Sequence, residues 1–125
     1  MSIIFNEETK EFHLFNKEIS YIFNIMRNSQ LGHLYFGKKV KHRNSFEHLF
    51  QVEARALTAC VFEGDLTFSL EHVKQEYPSY GTTDFREPAF EILQKNGSRI
   101  TNFTYKSNHI FKGKKKLKGL PATYV

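Results

Sequence analysis

The chain is expected to be mainly β, built from short antiparallel strands, and three features of its 125 residues carry that expectation. Short runs rich in Ile, Phe, Tyr and Thr alternate with polar breakers from the first residues onward. The early runs are joined by tight turns, which give antiparallel neighbours. Asn96-Gly97 sits between two β-prone runs and is a strong short-range hairpin signal.

The elements follow in order. "SIIFN" at residues 2–6 and "EFHLF" at 11–15 read as two strands joined by "EETK". In "ISYIFNIM", Ile19, Tyr21, Phe23 and Ile25 share one face at period two, while Ile22 and Met26 make the other face partly apolar. A strand of that pattern is expected to be covered on both sides. "RNSQLG" is a turn signal and "HLYFG" a further short strand, completing a meander. The middle is ambiguous. Phe46, Leu49, Phe50, Leu57 and Val61 repeat at helical spacing, with Asn44 or Ser45 as a possible cap, so propensity favours a helix over 46–57. "DLTFSLEHVKQEY" suits a helix through Leu66, Leu70, Val73 and Tyr77, or a short strand at "TFSLE". "PAFEILQ" at 88–94 and "RITNFTYKSNHIF" at 99–111 read as strands on either side of the Asn96-Gly97 turn, the second with a bulge or a strand exit in its middle. "KGKKKLKGLP" is a breaker-rich loop, and the closing "ATYV" is β-prone, the mark of a chain cut within a fold.

Composition narrows the function classes. Lys and Arg number 18 against 13 Asp and Glu, a formal charge of +5, part of it in the lysine run at 112–118. Such a run is ordinarily a solvated loop. Phosphate binding, as in a small basic nucleic-acid protein, is the competing reading, but no interleaved basic and aromatic stripe accompanies it. A single cysteine, Cys60, excludes an internal disulfide framework and reads as a small buried apolar group. The start of the chain lacks the basic and apolar regions of a signal peptide, and no run is long enough to span a membrane, so a cytoplasmic setting is expected.

No dedicated active site is legible in the residues. His13, His33, His42, His48, His72 and His109 form no metal-ligand spacing, and no cofactor or metal is expected. "GKKKLK" lacks the spacing and the Ser or Thr of a phosphate-binding loop. Glu47 with Glu53, or Glu76 with Asp84, can be imagined as the paired carboxylates of a glycosidase, but closeness in sequence does not set the facing geometry.

The stretch "QEYPSYGTTDFREP" at 75–88 stands out, because it holds two of the three prolines and packs aromatics and charges around Gly81. Tyr77-Pro78 restricts the backbone on both sides of its bond. Gly81 allows a conformation other residues resist. Arg86 is placed to hold Asp84 or a backbone carbonyl as a fixed fork.

With its flanks, "LTFSLEHVKQEYPSYGTTDFREPAFEI" resembles the amino-terminal domain of the α-galactosidases of glycoside hydrolase family 36. The likeness extends upstream through "ISYIFNIMRNSQLGHLYFGKKV" and downstream through "NGSRITNFTYKSNHIFKGKKKLKGLPATYV", and is poorest over residues 42–65. The resemblance implies an antiparallel β-sandwich, with residues 1–125 as the incomplete opening portion of a larger β-supersandwich domain. It implies a parent enzyme that is a retaining glycosidase acting on α-galactosyl oligosaccharides of the melibiose or raffinose type. Its catalytic aspartates would lie in a barrel absent from this chain, so the chain alone is expected to be inactive. It also implies a homotetramer, in which this domain reaches a neighbour's active site. By order, Glu53 matches the acidic residue that reaches the neighbour's galactose pocket, although the family's residue there is an aspartate. Tyr77, Pro78, Tyr80, Gly81, Asp84 and Arg86 are then expected to structure a loop at a subunit or domain interface. For residues 41–65 the family implies mostly irregular loop, against the helix that propensity favours; loop with a helical turn is the expectation, because tertiary context overrides weak propensity. A free-standing carbohydrate-binding or structural β-sandwich module is the alternative.

Overall fold

Pairing between successive apolar runs builds the first third of the molecule. The computed structural model describes residues 1–51, 59–114 and 117–121. Strands β1 (Ser2–Asn6), β2 (Glu11–Phe15), β3 (Ile19–Ile25) and β4 (Leu31–Lys38) form one antiparallel sheet in the order β1-β2-β3-β4. The protein is mainly β and antiparallel, as the residue pattern implied. Each turn has its own chemistry. Asn6 Oδ1 accepts from the amides of Glu8 and Thr9, and Lys10 takes φ 57°, which turns β1 into β2. Ser29 at φ 64° closes the β3–β4 connection, where the Ser29 amide donates to Met26 O and the Met26 amide to Gln30 O.

The pairing sets two faces. Glu11, His13, Ser20, Ile22 and Asn24 share one, because Glu11 pairs with Asn24 and His13 with Ile22. The other carries Phe5, Phe12 and Phe23, stacked across three strands at 4.3 and 4.7 Å between centroids, with Tyr105 over Phe12 at 6.4 Å. β3 is therefore covered on both faces. The register shifts between Ile22 and Phe23, where Leu34 is the extra residue of β4; this bulge brings Leu34 into the core beside Ile22 and Phe46.

Two apolar clusters fill the Ile22 face. Ile22, Leu34 and Phe46 form one, and Met26, Phe68, Leu70 and Val73 the other, with Phe50 against both. A strap, residues 39–46, crosses this face and is fastened by polar groups of the sheet. The Val40 amide donates to Ser20 Oγ, His42 meets His13, and both oxygens of the Glu11 carboxylate accept the Phe46 amide at 3.0 and 2.9 Å.

Several local expectations fail. Where propensity favours a helix over 46–57 there is a single 3-10 turn, Glu47–Leu49, in keeping with the expected loop with a helical turn, and residues 52–58 lie outside the described set. Phe46, Leu49 and Phe50 pack against the Ile22–Leu34 cluster from a single turn that ends with Phe50 extended, at ψ 110°, so tertiary packing overrides the weak helix propensity. Residues 65–77 form turns and one bridge, neither helix nor regular strand, because Phe68, Leu70 and Val73 enter the core as single anchors. The runs at 88–94 and 99–111 carry no ladder among the described residues. A β-prone pattern needs a neighbouring strand before it becomes a sheet. The turn between them does form. Gly97 N donates to Gln94 O and Gln94 N to Ser98 O, both at 2.9 Å, with Gly97 at φ 82°. This is a three-residue loop with glycine in the left-handed position.

Candidate functional site: a clamped aromatic loop

Residues 75–88 begin at the edge of the sheet. Gln75 bridges Gly32; the His33 amide donates to Lys74 O and the Glu76 amide to Leu31 O, each at 2.9 Å. The loop thus starts as a one-bridge extension of β4. On the Phe23 side, His33 Nδ1 lies 2.6 Å from Glu76 Oε1. Burial, then the hydrogen bond and charge of Glu76, push the Tyr21 phenol well above its usual range.

Past Pro78 the chain folds back on itself. The Gly81 amide donates to Asp84 O at 2.8 Å and the Asp84 amide to Gly81 O at 3.1 Å. Between them Thr82 and Thr83 have φ 53° and 78°, the left-handed pair that a type I′ hairpin turn requires. Gly81 itself has φ 100°, and a Cβ there would stand 2.6 Å from Ile100 Cγ2. Tyr77 takes φ 53°, not the extended conformation expected of a residue before proline. Three of the five described non-glycine residues with positive φ therefore lie at 77–83. Each costs roughly 1–2 kcal/mol, and such strain persists only where the surroundings over-determine it.

Asp84 supplies that constraint. It is 3% exposed, and its carboxylate is the hub of the loop. Oδ1 accepts the Arg86 amide at 3.2 Å and Arg86 Nε at 2.8 Å; Oδ2 accepts Gln75 Nε2 at 2.5 Å and Arg86 Nη2 at 3.0 Å. Arg86 Nη2 also donates to Leu70 O at 2.7 Å and Val73 O at 3.0 Å. One guanidinium therefore joins the loop to the turn whose side chains fill the core. Hydrogen bonding to Asp84 raises the Arg86 pKa above its ordinary value, against the opposing effect of burial. The aromatics are held less tightly. Tyr77 is 70% exposed, stacked on Phe90 at 5.1 Å, and Phe90 lies 4.9 Å from Phe103. Tyr80 meets Phe85 edge-on, and its carbonyl accepts the Thr101 amide.

The carboxylates singled out in sequence do not form a described catalytic pair. Glu76 is engaged by His33 and Asp84 by Arg86 and Gln75. Glu47 is exposed in the 3-10 turn, and Glu53 lies outside the described residues. No group of three or more His, Cys, Asp or Glu side chains is placed to hold a metal ion among the described residues. No described helix is long and apolar enough to cross a membrane. Sequence reasoning missed Gln75 as a partner of Asp84, the His33–Glu76 contact and the Glu11–Phe46 anchor. The last two join residues 43 and 35 apart, and no local signal marks them.

An antiparallel sheet with a charge-clamped edge loop defines this as a β module, and the comparisons give the family. Residues 29–125 match the Glycosyl hydrolase family 36 N-terminal domain. The chain is 43% identical over all 125 residues to the α-galactosidase AgaA of Geobacillus stearothermophilus, and covers 17% of that protein. It superposes on the crystal structure of the α-galactosidase from Lactobacillus brevis with a TM-score of 0.87 and 39% identity, over 96% of this chain and 16% of that one. A variant of the Geobacillus AgaA enzyme in complex with raffinose matches with a TM-score of 0.80 and 44% identity, over 93% and 16%. The chain belongs to glycosyl hydrolase family 36 and corresponds to its amino-terminal domain.

Proposed function

We propose that these 125 residues are the opening portion of an α-galactosidase that hydrolyses terminal α-galactosyl residues of oligosaccharides, and that this portion supports assembly and the rim of a neighbouring active site. The 43% identity over the whole chain to an α-galactosidase carries the reading. The raffinose bound by a relative favours a raffinose-type substrate. Exposed Ile92, Leu93, Ile100 and Phe103, on runs that carry no ladder among the described residues, suit a sandwich completed by further polypeptide. The loop formed by Tyr77, Pro78, Tyr80, Gly81, Asp84 and Arg86 serves as a domain or subunit contact in a homotetramer. A rigid turn carrying exposed Tyr77 and Phe85 supports that role. Glu53 reaches the galactose of a neighbouring site, and the assembly works in the cytoplasm.

The test uses nitrophenyl α-galactoside. A polypeptide that begins with this chain and continues through a catalytic domain should release nitrophenol, and residues 1–125 alone should not. Turnover by the short chain that disappears on mutating one of its own carboxylates would refute the proposal. In the assembled enzyme, Glu53→Gln should lower kcat/KM roughly ten- to a hundredfold, the loss of one charged acceptor. Glu47→Gln should change it little. Unchanged kinetics would remove Glu53 from the site.

A further inference from the structure

Two of the groups that hold the strap over the Ile22 face are ionisable side chains of one strand; its other ties are Asn6 Nδ2 donating to Asn44 O and the Lys39 amide donating to Glu18 O, each at 2.7 Å. Glu11 and His13 both project from β2 onto that face. Glu11 holds the strap's far end through the Phe46 amide and Ser45 Oγ. His13 holds its middle. The ring is 2% exposed, its Nε2 lies 2.9 Å from Ser20 Oγ, and its Nδ1 lies 3.0 Å from His42 Nδ1. Ser20 Oγ in turn accepts the Val40 amide at 3.1 Å. A single chain of hydrogen bonds thus runs from Val40 through Ser20 and His13 to His42.

The chemistry of that chain limits the protons it can carry. Two nitrogens facing each other at hydrogen-bond distance share one proton: one ring donates and the other accepts. His42 is exposed and offers the bond only the nitrogen that faces His13. A proton on both facing nitrogens destroys it, setting N–H against N–H. We propose that the His13–His42 pair is a pH-sensitive latch, which fastens residues 39–46 to the sheet near neutrality and releases them under mild acid.

The surrounding groups favour release. Lys39, on the strap, adds positive charge, and its ammonium lies 5.5 Å from the Phe15 ring centroid beside His13. Ile4, the partner of His13 on β1, carries no charge, and from β3 only the Ser20 hydroxyl reaches the ring. Phe46 stands edge-on to it at 5.1 Å. Glu11, two residues away on the same strand, is the nearby anion, but both its oxygens are committed to the Phe46 amide. Burial first, then His42 and Lys39, hold the His13 pKa below its ordinary value of 6.5. A histidine so depressed leaves the latch intact above pH 6.5, and the released state takes up the extra proton as the pH falls below it.

Amide hydrogen exchange of the 125-residue chain between pH 7.5 and 5, corrected for intrinsic rates, reads the latch at Val40 and Phe46. Protection at both should fall by up to tenfold per pH unit below 6.5, the slope of a one-proton difference, while the β2–β3 ladder stays protected. His42→Gln should flatten the dependence, since its amide oxygen accepts from a protonated His13. Three results would overturn the latch: protection independent of pH, loss in step with the ladder, or no protection at Val40 and Phe46 at pH 7.5. A slope unchanged in His42→Gln would also overturn it.

Discussion

The four-stranded sheet and the segment from 66 to 111 are held together by different means. In the sheet, successive backbones pair in continuous registers, and turn residues such as Lys10 and Ser29 need only close the connections. In the later segment, order depends on side chains reaching backbone far away. Arg86 reaches Leu70 O and Val73 O, Gln75 reaches Asp84, and isolated bonds tie Thr101 to Tyr80 and Tyr105 to Ser29. A ladder spreads its stability over many equivalent bonds, so no single one is decisive. A clamp concentrates it in a few groups and can hold a strained, exposed loop that no ladder would support.

Removing the hub of the clamp should separate the two regions most sharply. Asp84→Ala strips acceptors from Gln75 and Arg86 and should cost about 2–3 kcal/mol, the penalty for stranding buried or charged donors. The figure is kept low because the Arg86 side chain is 49% exposed. Chemical denaturation gives the loss. Hydrogen exchange should show it at the Glu76 and Asp84 amides while the β2–β3 ladder stays protected. Equal loss in both regions would show that the loop and sheet form one cooperative unit.

Gly81→Ala should cost about 2 kcal/mol. It combines left-handed strain of roughly 1 kcal/mol with a Cβ that must displace Ile100, itself half exposed and able to move. Gly97→Ala is the control, because it meets the same conformational demand with nothing within 4 Å. A cost there as large as at Gly81 would show that close approach to Ile100 contributes nothing.

The smallest expected effect has the opposite sign. Replacing Thr82 and Thr83 by Asn and Gly keeps the turn but relieves its left-handed strain, and should stabilise by about 1 kcal/mol in denaturation. If the loop makes a protein contact in the larger assembly, the same change should weaken that assembly in sedimentation while stabilising the chain. A destabilised chain would show that the threonine side chains contribute more than their backbone strain costs.

Much of the sheet was readable in the sequence, because its information is local. The limits of β1 and β2, the turn positions and the coverage of β3 follow from alternation and breaker residues. The Arg86–Asp84 fork was readable too, from two charges two residues apart, but its carbonyl partners Leu70 and Val73, its partner Gln75 and the strap were not. Phe46 reads as the start of a helix, and nothing near it in the sequence marks Glu11, 35 residues earlier, as the acceptor of its amide. Thr82 and Thr83 read as unremarkable loop residues, since left-handed backbone in a β-branched residue follows from the Asp84 clamp and not from its own preference.

The sequence by itself determined the antiparallel meander, the turn at Asn96-Gly97 and the family to which the chain belongs, because each rests on residues close together or on motifs in fixed order. Only the tertiary structure decided that the runs at 88–94 and 99–111 carry no ladder among the described residues, that Leu34 bulges into the core, that Gln75 joins Arg86 on Asp84, and which groups Glu11 and His13 hold. Those outcomes depend on which distant groups share a site and which strands find a neighbour. Neither quantity is encoded in the spacing of residues along the chain.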